Sequence, residues 1–233
     1  MKLKRTCSFL IVVLLILFSK NTMNVAAMNT GFSTEKLPEE PENVFLSNIN
    51  LSFVRKEPEK RGILCFDVNE QGMIAICQSH FDNKTICIYT SRGEFLYGYT
   101  LNCSQSICVE WDEMALNVYF VRSDVIISLD SNGSILDIKA VQDTVDNNSY
   151  RNSLLYSTRK TIDDATYLIR NDMGILNWIA PSYSQIVTIN AIGTELIIYG
   201  NLYKLNFSVP VLDFSVQISK PSPKSGTRTD YIG

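Results

Sequence analysis

The chain has one histidine, His80, and therefore one imidazole for proton transfer at neutral pH. His80 sits in the polar stretch 79–83 with Asp82 nearby. A catalytic base needs a nucleophile held within reach, and no G-x-S-x-G or similar element supplies one. Paired carboxylates occur at Glu110/Asp112 and at Asp163/Asp164. Glycoside cleavage needs two carboxyl groups flanking one sugar bond; an adjacent pair such as Asp163-Asp164 suits a turn better. Asp67-x-Asn69-x-x-Gly72 has the start of a calcium loop but lacks the later ligands, because Met73-Ile74-Ala75-Ile76-Cys77 follows. A hairpin turn is the expected reading. No catalytic residue is assigned from these patterns.

Cysteine is the other reactive side chain. Cys65, Cys77, Cys87, Cys103 and Cys108 follow the N-terminal segment, without a C-x-x-C spacing and with one histidine in the chain. That is poor material for zinc, and no metal or cofactor is expected. Three of them fall in apolar runs, where a free thiol packs as a small hydrophobe. Cys103 and Cys108 flank Ser104-Gln105-Ser106 and form the candidate disulfide.

The compartment is read from the first residues. Lys2, Lys4 and Arg5 precede an apolar run at 9–18, and Val25-Ala26-Ala27 supplies small residues for cleavage. A membrane-spanning helix needs about 20 apolar residues, and Lys20 and Asn21 end this run early. Residues 1–27 are expected to be a signal peptide, the alternative being an uncleaved anchor as the one link to the membrane. Their loss removes four basic residues and no acidic one, taking the formal charge from −3 to −7. Such an acidic chain has no electrostatic reason to bind nucleic acid. A secreted protein, or one held at the outer face of the cell membrane, is the expected localisation.

Residues 28–43, with Pro38, Pro41 and several glutamates, read as an acidic linker. A β-repeat domain is expected over 44–219, beginning with one strand in 44–54, and a loose tail over 220–233. Inside it, 63–101 reads as four short strands joined by turns at Asn69-Glu70-Gln71-Gly72 and Ser91-Arg92-Gly93. The run Met73-Ile74-Ala75-Ile76-Cys77 is apolar on both alternating faces, which fits a sheet covered on both sides. A second copy is expected near 107–141, since Cys65 aligns with Cys108 and Gly93 with Gly133. A third is expected near 165–199, with Asn171-Asp172-Met173-Gly174 matching the turn at Asn69 and Gly193 matching Gly93. The intervening 146–153 reads as a break, and 154–162 as an extra strand. Fold class is all-β: about three four-stranded antiparallel meanders plus flanking strands, with a β-sandwich as the alternative.

The Asp-x-Asn-x-x-Gly turn, the apolar run after it and the later Arg-Gly or Asn-Gly turn resemble β-propellers of the NHL and WD-repeat type. FDVNEQGMIAI and IYTSRGEFLYGY also resemble exported or membrane-anchored proteins of unknown function from clostridia and related Gram-positive bacteria. The resemblance implies a propeller-like array and brings no catalytic motif with it. Closed propellers have about four to eight blades, so flanking strands must add to the three copies or the array stays open.

The expected function is an exported, non-catalytic binding or scaffolding module, with a cell-envelope protein or glycan as partner. The alternative is a propeller-type hydrolase or lyase acting on envelope glycans. Loops 79–83, 122–124 and 181–184 are equivalent in the repeat alignment and would share one rim. Their side chains His80, Arg122 and Tyr183 are the candidate binding residues. Tyr97, Tyr99, Trp111, Tyr119 and Trp178 are further aromatic candidates, for binding or for packing.

Overall fold

The computed structural model describes residues 28–80, 83–171 and 183–200. The chain enters with strand β1 (Thr34–Lys36), helix α1 (Glu39–Ile49) and strand β2 (Ser52–Val54). The first antiparallel meander follows: β3 (Ile63–Val68), β4 (Ile74–His80), β5 (Asn83–Tyr89) and β6 (Phe95–Asn102). A second comprises β7 (Ile107–Asp112), β8 (Ala115–Phe120), β9 (Val125–Leu129) and β10 (Ile135–Val141). After helix α2 (Val145–Leu155), a third comprises β11 (Arg159–Ile162), β12 (Ala165–Arg170), β13 (Gln185–Ile189) and β14 (Glu195–Gly200). The two N-terminal strands complete the first two sheets, β2 pairing with β6 and β1 with β10. The described residues are thus mostly β, in three antiparallel sheets with two helices.

One turn recurs and spaces the strands. At 69–73, 90–94, 130–134 and 190–194 the first residue is Asn69, Thr90, Asp130 or Asn190. Its side-chain oxygen accepts the backbone N–H of the fifth residue at 2.8, 3.2, 2.7 and 2.8 Å respectively. The fourth residue is glycine each time, at φ between 75° and 86°, a region where a Cβ is strained. Asp, Asn and Thr are suited to the first position because a short side chain can bond the backbone locally.

The first sheet lies between two cores. Strand alternation sends Ala75 and Cys77 of β4 into an apolar cluster shared with Val109, Leu116, Val118 and Ile127 of the second sheet. Ile74 and Ile76 go to the other side, into a cluster with Tyr167, Ile169, Ile186 and Tyr199 of the third sheet. Each such fully buried aliphatic side chain contributes about 1.5–3 kcal/mol relative to exposure. The layers are also stitched by tyrosines. Tyr99 donates to the Asp130 carbonyl at 2.6 Å, and Tyr199 donates to the Arg61 carbonyl at 2.7 Å.

Several expectations need correction. Residues 28–43 are not a spacer: Met28, Phe32 and Leu37 are buried, Thr34–Lys36 is a strand and a helix starts at Glu39. Pro38 stands at the helix N-cap, where proline is tolerated, and Glu39, Glu40 and Glu42 meet the positive end of the helix dipole. The expected strand in 44–54 is therefore the end of α1 followed by the short β2. The break at 146–153 is α2, capped by Thr144, whose hydroxyl accepts the Asn147 N–H at 3.1 Å. The extra strand expected in 154–162 is the first strand of the third sheet, shortened to Arg159–Ile162. The disulfide does not form: Cys103 and Cys108 are free, as are Cys65, Cys77 and Cys87. Cys103 donates to the Gln105 carbonyl in its own turn at 3.6 Å, whereas Cys108 lies on β7 in the core beside Cys65. The N-terminal segment 1–27, the expected turn at Gly174, Trp178 and the tail 220–233 lie outside the described residues.

Candidate functional site

Consecutive strands of an antiparallel meander put the first-to-second and third-to-fourth turns at one end of a sheet, and the second-to-third turn at the other. The first end carries a cleft of about 550 Å³ between the first and third sheets. Glu70, Gln71 and Gly72 come from the turn after β3, and Ser91 from the turn after β5. The third sheet contributes Asp163 and Asp164 from the turn after β11, and Asn190, Ala191 and Ile192 from the turn after β13. Ile162 and Ala165 flank the aspartates, and Tyr167 of β12 completes the lining.

The charge on this lining is one-sided. It holds Glu70, Asp163 and Asp164, and neither lysine nor arginine among the described residues. All three acids are exposed on their turns, while Tyr167 is 4% exposed. Its hydroxyl stands 3.4 Å from where a Cβ on Gly72 would be, and it makes no hydrogen bond among the described residues. Burial pushes the Tyr167 phenol up from its ordinary value, so it is held as a donor. Asp163 is in the left-handed region at φ 48°, which makes 163–164 a tight two-residue hairpin between Ile162 and its partner Ala165.

Below the cleft the three sheets meet on one carboxylate. Asp67 of β3, 5% exposed, accepts the Trp111 N–H of β7 at 2.8 Å and pairs with the Lys160 ammonium of β11. Asn69, two residues on, donates to the Glu113 carbonyl at 3.2 Å. The turn that bears Glu70 is thus fixed from the neighbouring sheets.

The other carboxylate pair has a different occupation. Glu110 accepts the Thr30 hydroxyl at 2.6 Å, the Gly31 N–H at 3.4 Å and the Tyr150 hydroxyl. Asp112 accepts the Asn29 N–H at 2.7 Å. Both acids tie residues 29–31 onto the second sheet. Asp67-x-Asn69-x-x-Gly72 likewise serves as an ion-pair partner and a turn.

His80 is the last residue of β4, with Asn83 as its register partner; its side chain lies outside the described residues. Arg122 is exposed on the turn after β8, with its backbone N–H on the Gln105 side-chain oxygen at 2.6 Å. Tyr183 is half-buried and bridges to Ile63 through paired backbone hydrogen bonds of 2.8 and 3.1 Å. The ends of β4, β8 and β12 are equivalent in the three sheets, opposite the turns after β3, β7 and β11. No described contact joins Arg122 to Tyr183. Tyr99 and Tyr119 are core residues, at 1% and 2% exposure, and Tyr97 and Trp111 pack against the same core.

The cleft itself was not picked out by sequence reading. The recurring Asn/Thr/Asp-x-x-Gly turn marks where its walls are, but pairing a turn at 70 with one at 163 requires knowing which sheets pack together. Among the described residues no helix is long and apolar enough to cross a membrane, and no group of His, Cys, Asp and Glu could hold a metal ion. No family model, curated protein or solved structure matches this chain.

Proposed function

We propose that this chain is a non-catalytic binding or scaffolding module acting outside the cytoplasm, and that its ligand surface is the cleft between the first and third sheets. The observation that carries the reading is that cleft, whose volume falls in the range of small-ligand sites, about 300–1,000 Å³. Its walls are tight turns on packed sheets, a rigid scaffold for loops that recognise. The basic start, short apolar run and Val25-Ala26-Ala27 at the N-terminus support export.

A propeller-like relation among the sheets supports the scaffold part of the proposal. The turn at Gly133 of the second sheet sits against Phe53 of β2 on the first. The turn at Gly93 of the first sheet sits in the same way against Ile198 of β14 on the third. Repeating one sheet-to-sheet contact is how an array of blades is built.

The alternative is a hydrolase or lyase on cell-envelope glycans, and it draws on the carboxylates of the same cleft. A general acid there would need a carboxyl whose proton is held by an apolar wall, whereas Glu70, Asp163 and Asp164 are exposed.

Screening the protein against defined glycans and short peptides, with Ser91→Trp to fill the cleft and Arg122→Ala at the opposite end, tests the reading. Saturable binding lost in Ser91→Trp and kept in Arg122→Ala is expected. Binding unchanged by Ser91→Trp would remove the cleft as the site. Release of sugar products, abolished by Asp163→Asn, would establish the enzymatic alternative.

A further inference from the structure

Residues 28–31 run over one face of the second sheet. Glu110 and Asp112 alternate along β7 on that face, and Asn117 of β8 is the register partner of Glu110. Both acids bond neutral donors there. Glu110 accepts from Thr30, Gly31 and Tyr150, and Asp112 accepts the Asn29 N–H at 2.7 Å. No lysine or arginine forms an ion pair with either acid among the described residues. Arg151 of α2 also approaches this face, beside Tyr119 and Cys108.

Two acids alone would not define a site. The independent observation is Asn117, which is 1% exposed. Its amide nitrogen donates to the Asn29 carbonyl at 2.8 Å, whereas its Oδ1 is enclosed and accepts no hydrogen bond among the described residues. An enclosed amide oxygen without a donor is costly. What completes this face is a hydrogen-bond donor beside Asn29, and the carboxylates favour a positively charged one.

The chain itself can supply that donor. Met28 is buried in the core shared by the first two sheets, so its position is held by packing. Its nitrogen is one residue from the Asn29 N–H, and covalent geometry keeps it within about 7 Å of the Asp112 carboxylate. In a continuous chain that nitrogen offers one N–H; at a chain terminus it offers three and a positive charge. Val25-Ala26-Ala27 is the pattern that directs cleavage to the bond just before it.

We infer that Glu110, Asp112 and Asn117 form a receptor for the chain's own processed N-terminus, in which the α-ammonium of Met28 docks on Asp112 and on Asn117 Oδ1. A signal peptidase supplies the cut. One water is consumed, the Ala27–Met28 amide breaks, Ala27 leaves as a carboxylate and the Met28 nitrogen takes up the released proton. The cut falls before the sheets close, so the ammonium is in place when residues 28–31 settle. This rests on the export part of the proposed function and adds a maturation step that completes the fold.

Export of the full chain from a bacterial host tests it. Mass spectrometry of the recovered protein should find Met28 as the first residue. A succinimidyl ester at pH 7 then acylates amines in their neutral form. The Met28 amine should react about tenfold more slowly in the native protein than in guanidinium, the effect of a carboxylate that holds it protonated. Asp112→Asn keeps an acceptor for the Asn29 N–H and removes the charge, so most of that protection should vanish. Asn117→Leu, close in volume, should also speed the reaction. Equal rates in the native and unfolded protein, or protection untouched by Asp112→Asn, overturns the inference and leaves export standing. A mature chain starting at another residue does the same. Recovery inside the host with residues 1–27 intact would overturn export and the inference together.

Discussion

One carboxylate oxygen of Asp67 lies 2.8 Å from the backbone nitrogen of Trp111, although the two residues belong to different sheets. The other oxygen holds Lys160 of the third sheet. Truncating Asp67 to alanine leaves a half-buried N–H and an ammonium without their partner. We expect a loss of about 2–4 kcal/mol, below the usual figure for a broken buried pair because Lys160 is 35% exposed. Lys160→Met should cost less, since the carboxylate keeps Trp111. Urea denaturation midpoints decide this, and equal losses in the two variants would show that the ion pair dominates.

Gly93 and Gly193 occupy the same turn in different sheets, at φ 81° and 80°. A Cβ on Gly93 would stand 2.4 Å from the Ile198 carbonyl oxygen, whereas one on Gly193 meets nothing within 4 Å. Gly193→Ala therefore carries only the left-handed penalty of about 1–2 kcal/mol. Gly93→Ala must also push the first and third sheets apart, and should cost at least about 2 kcal/mol more. Thermal unfolding of the pair separates turn strain from inter-sheet contact; similar melting temperatures would refute that contact.

Glu110→Ala removes the acceptor of Thr30, Gly31 and Tyr150 together. The expected result is detachment of the N-terminal segment, at about 2–3 kcal/mol for hydrogen bonds to a charged group. Limited proteolysis should then cut within 28–37 much faster than in the parent. Unchanged cleavage would mean that the other contacts, among them the rings of Phe32, Tyr119 and Tyr150, the Asp112–Asn29 bond and the pairing of β1 with β10, hold the segment without Glu110.

The thiols make a pH prediction. Burial pushes Cys87 up from an ordinary value near 9 to about 12. Between those values an unfolded chain has released a proton that the folded chain keeps. Stability is thus unaffected below pH 9 and falls as pH rises toward 12, by about 1.4 kcal/mol per pH unit for each such thiol. Alkylation with iodoacetamide at pH 8, mapped by mass spectrometry, should leave Cys65, Cys77, Cys87, Cys103 and Cys108 unmodified in the native state. All of them should be modified in guanidinium without reductant. A pair that stays blocked there would reveal a disulfide.

The first two sheets were legible because their turns announce themselves. Asn69, Thr90 and Asp130 each precede a glycine by three residues, and apolar runs of strand length lie between. The two helices were not. In α1, Pro38, Pro41 and the glutamates resemble a solvated linker, and its packing face is only Phe45, Leu46 and Ile49. In α2, the polar run Asp146-Asn147-Asn148-Ser149 hides the helical spacing of Tyr150 and Leu154. In the third sheet the sequence pattern of Asn171 to Gly174 matches the earlier turn, so the expected repeat starts at 165 and leaves out β11 and its hairpin at Asp163-Asp164. The cleft was out of reach for a different reason. Its two walls are more than seventy positions apart, and the burial of β4 on both faces helps to bring their sheets together.

The N-terminal strands have a consequence for how this chain acquires its structure. β2 pairs with β6, linking Ser52 to Thr100, and β1 pairs with β10, linking Thr34 to Val141. The second closure encloses the first, like nested brackets. During synthesis from the N-terminus, β2 finds its partner once residues near 100 have emerged, while β1 waits until 141. The inner bracket therefore shuts on a shorter loop and the outer one on a loop already shortened by folded sheet, which lowers the entropy lost in each step. Of these two strands, the one made first is locked second.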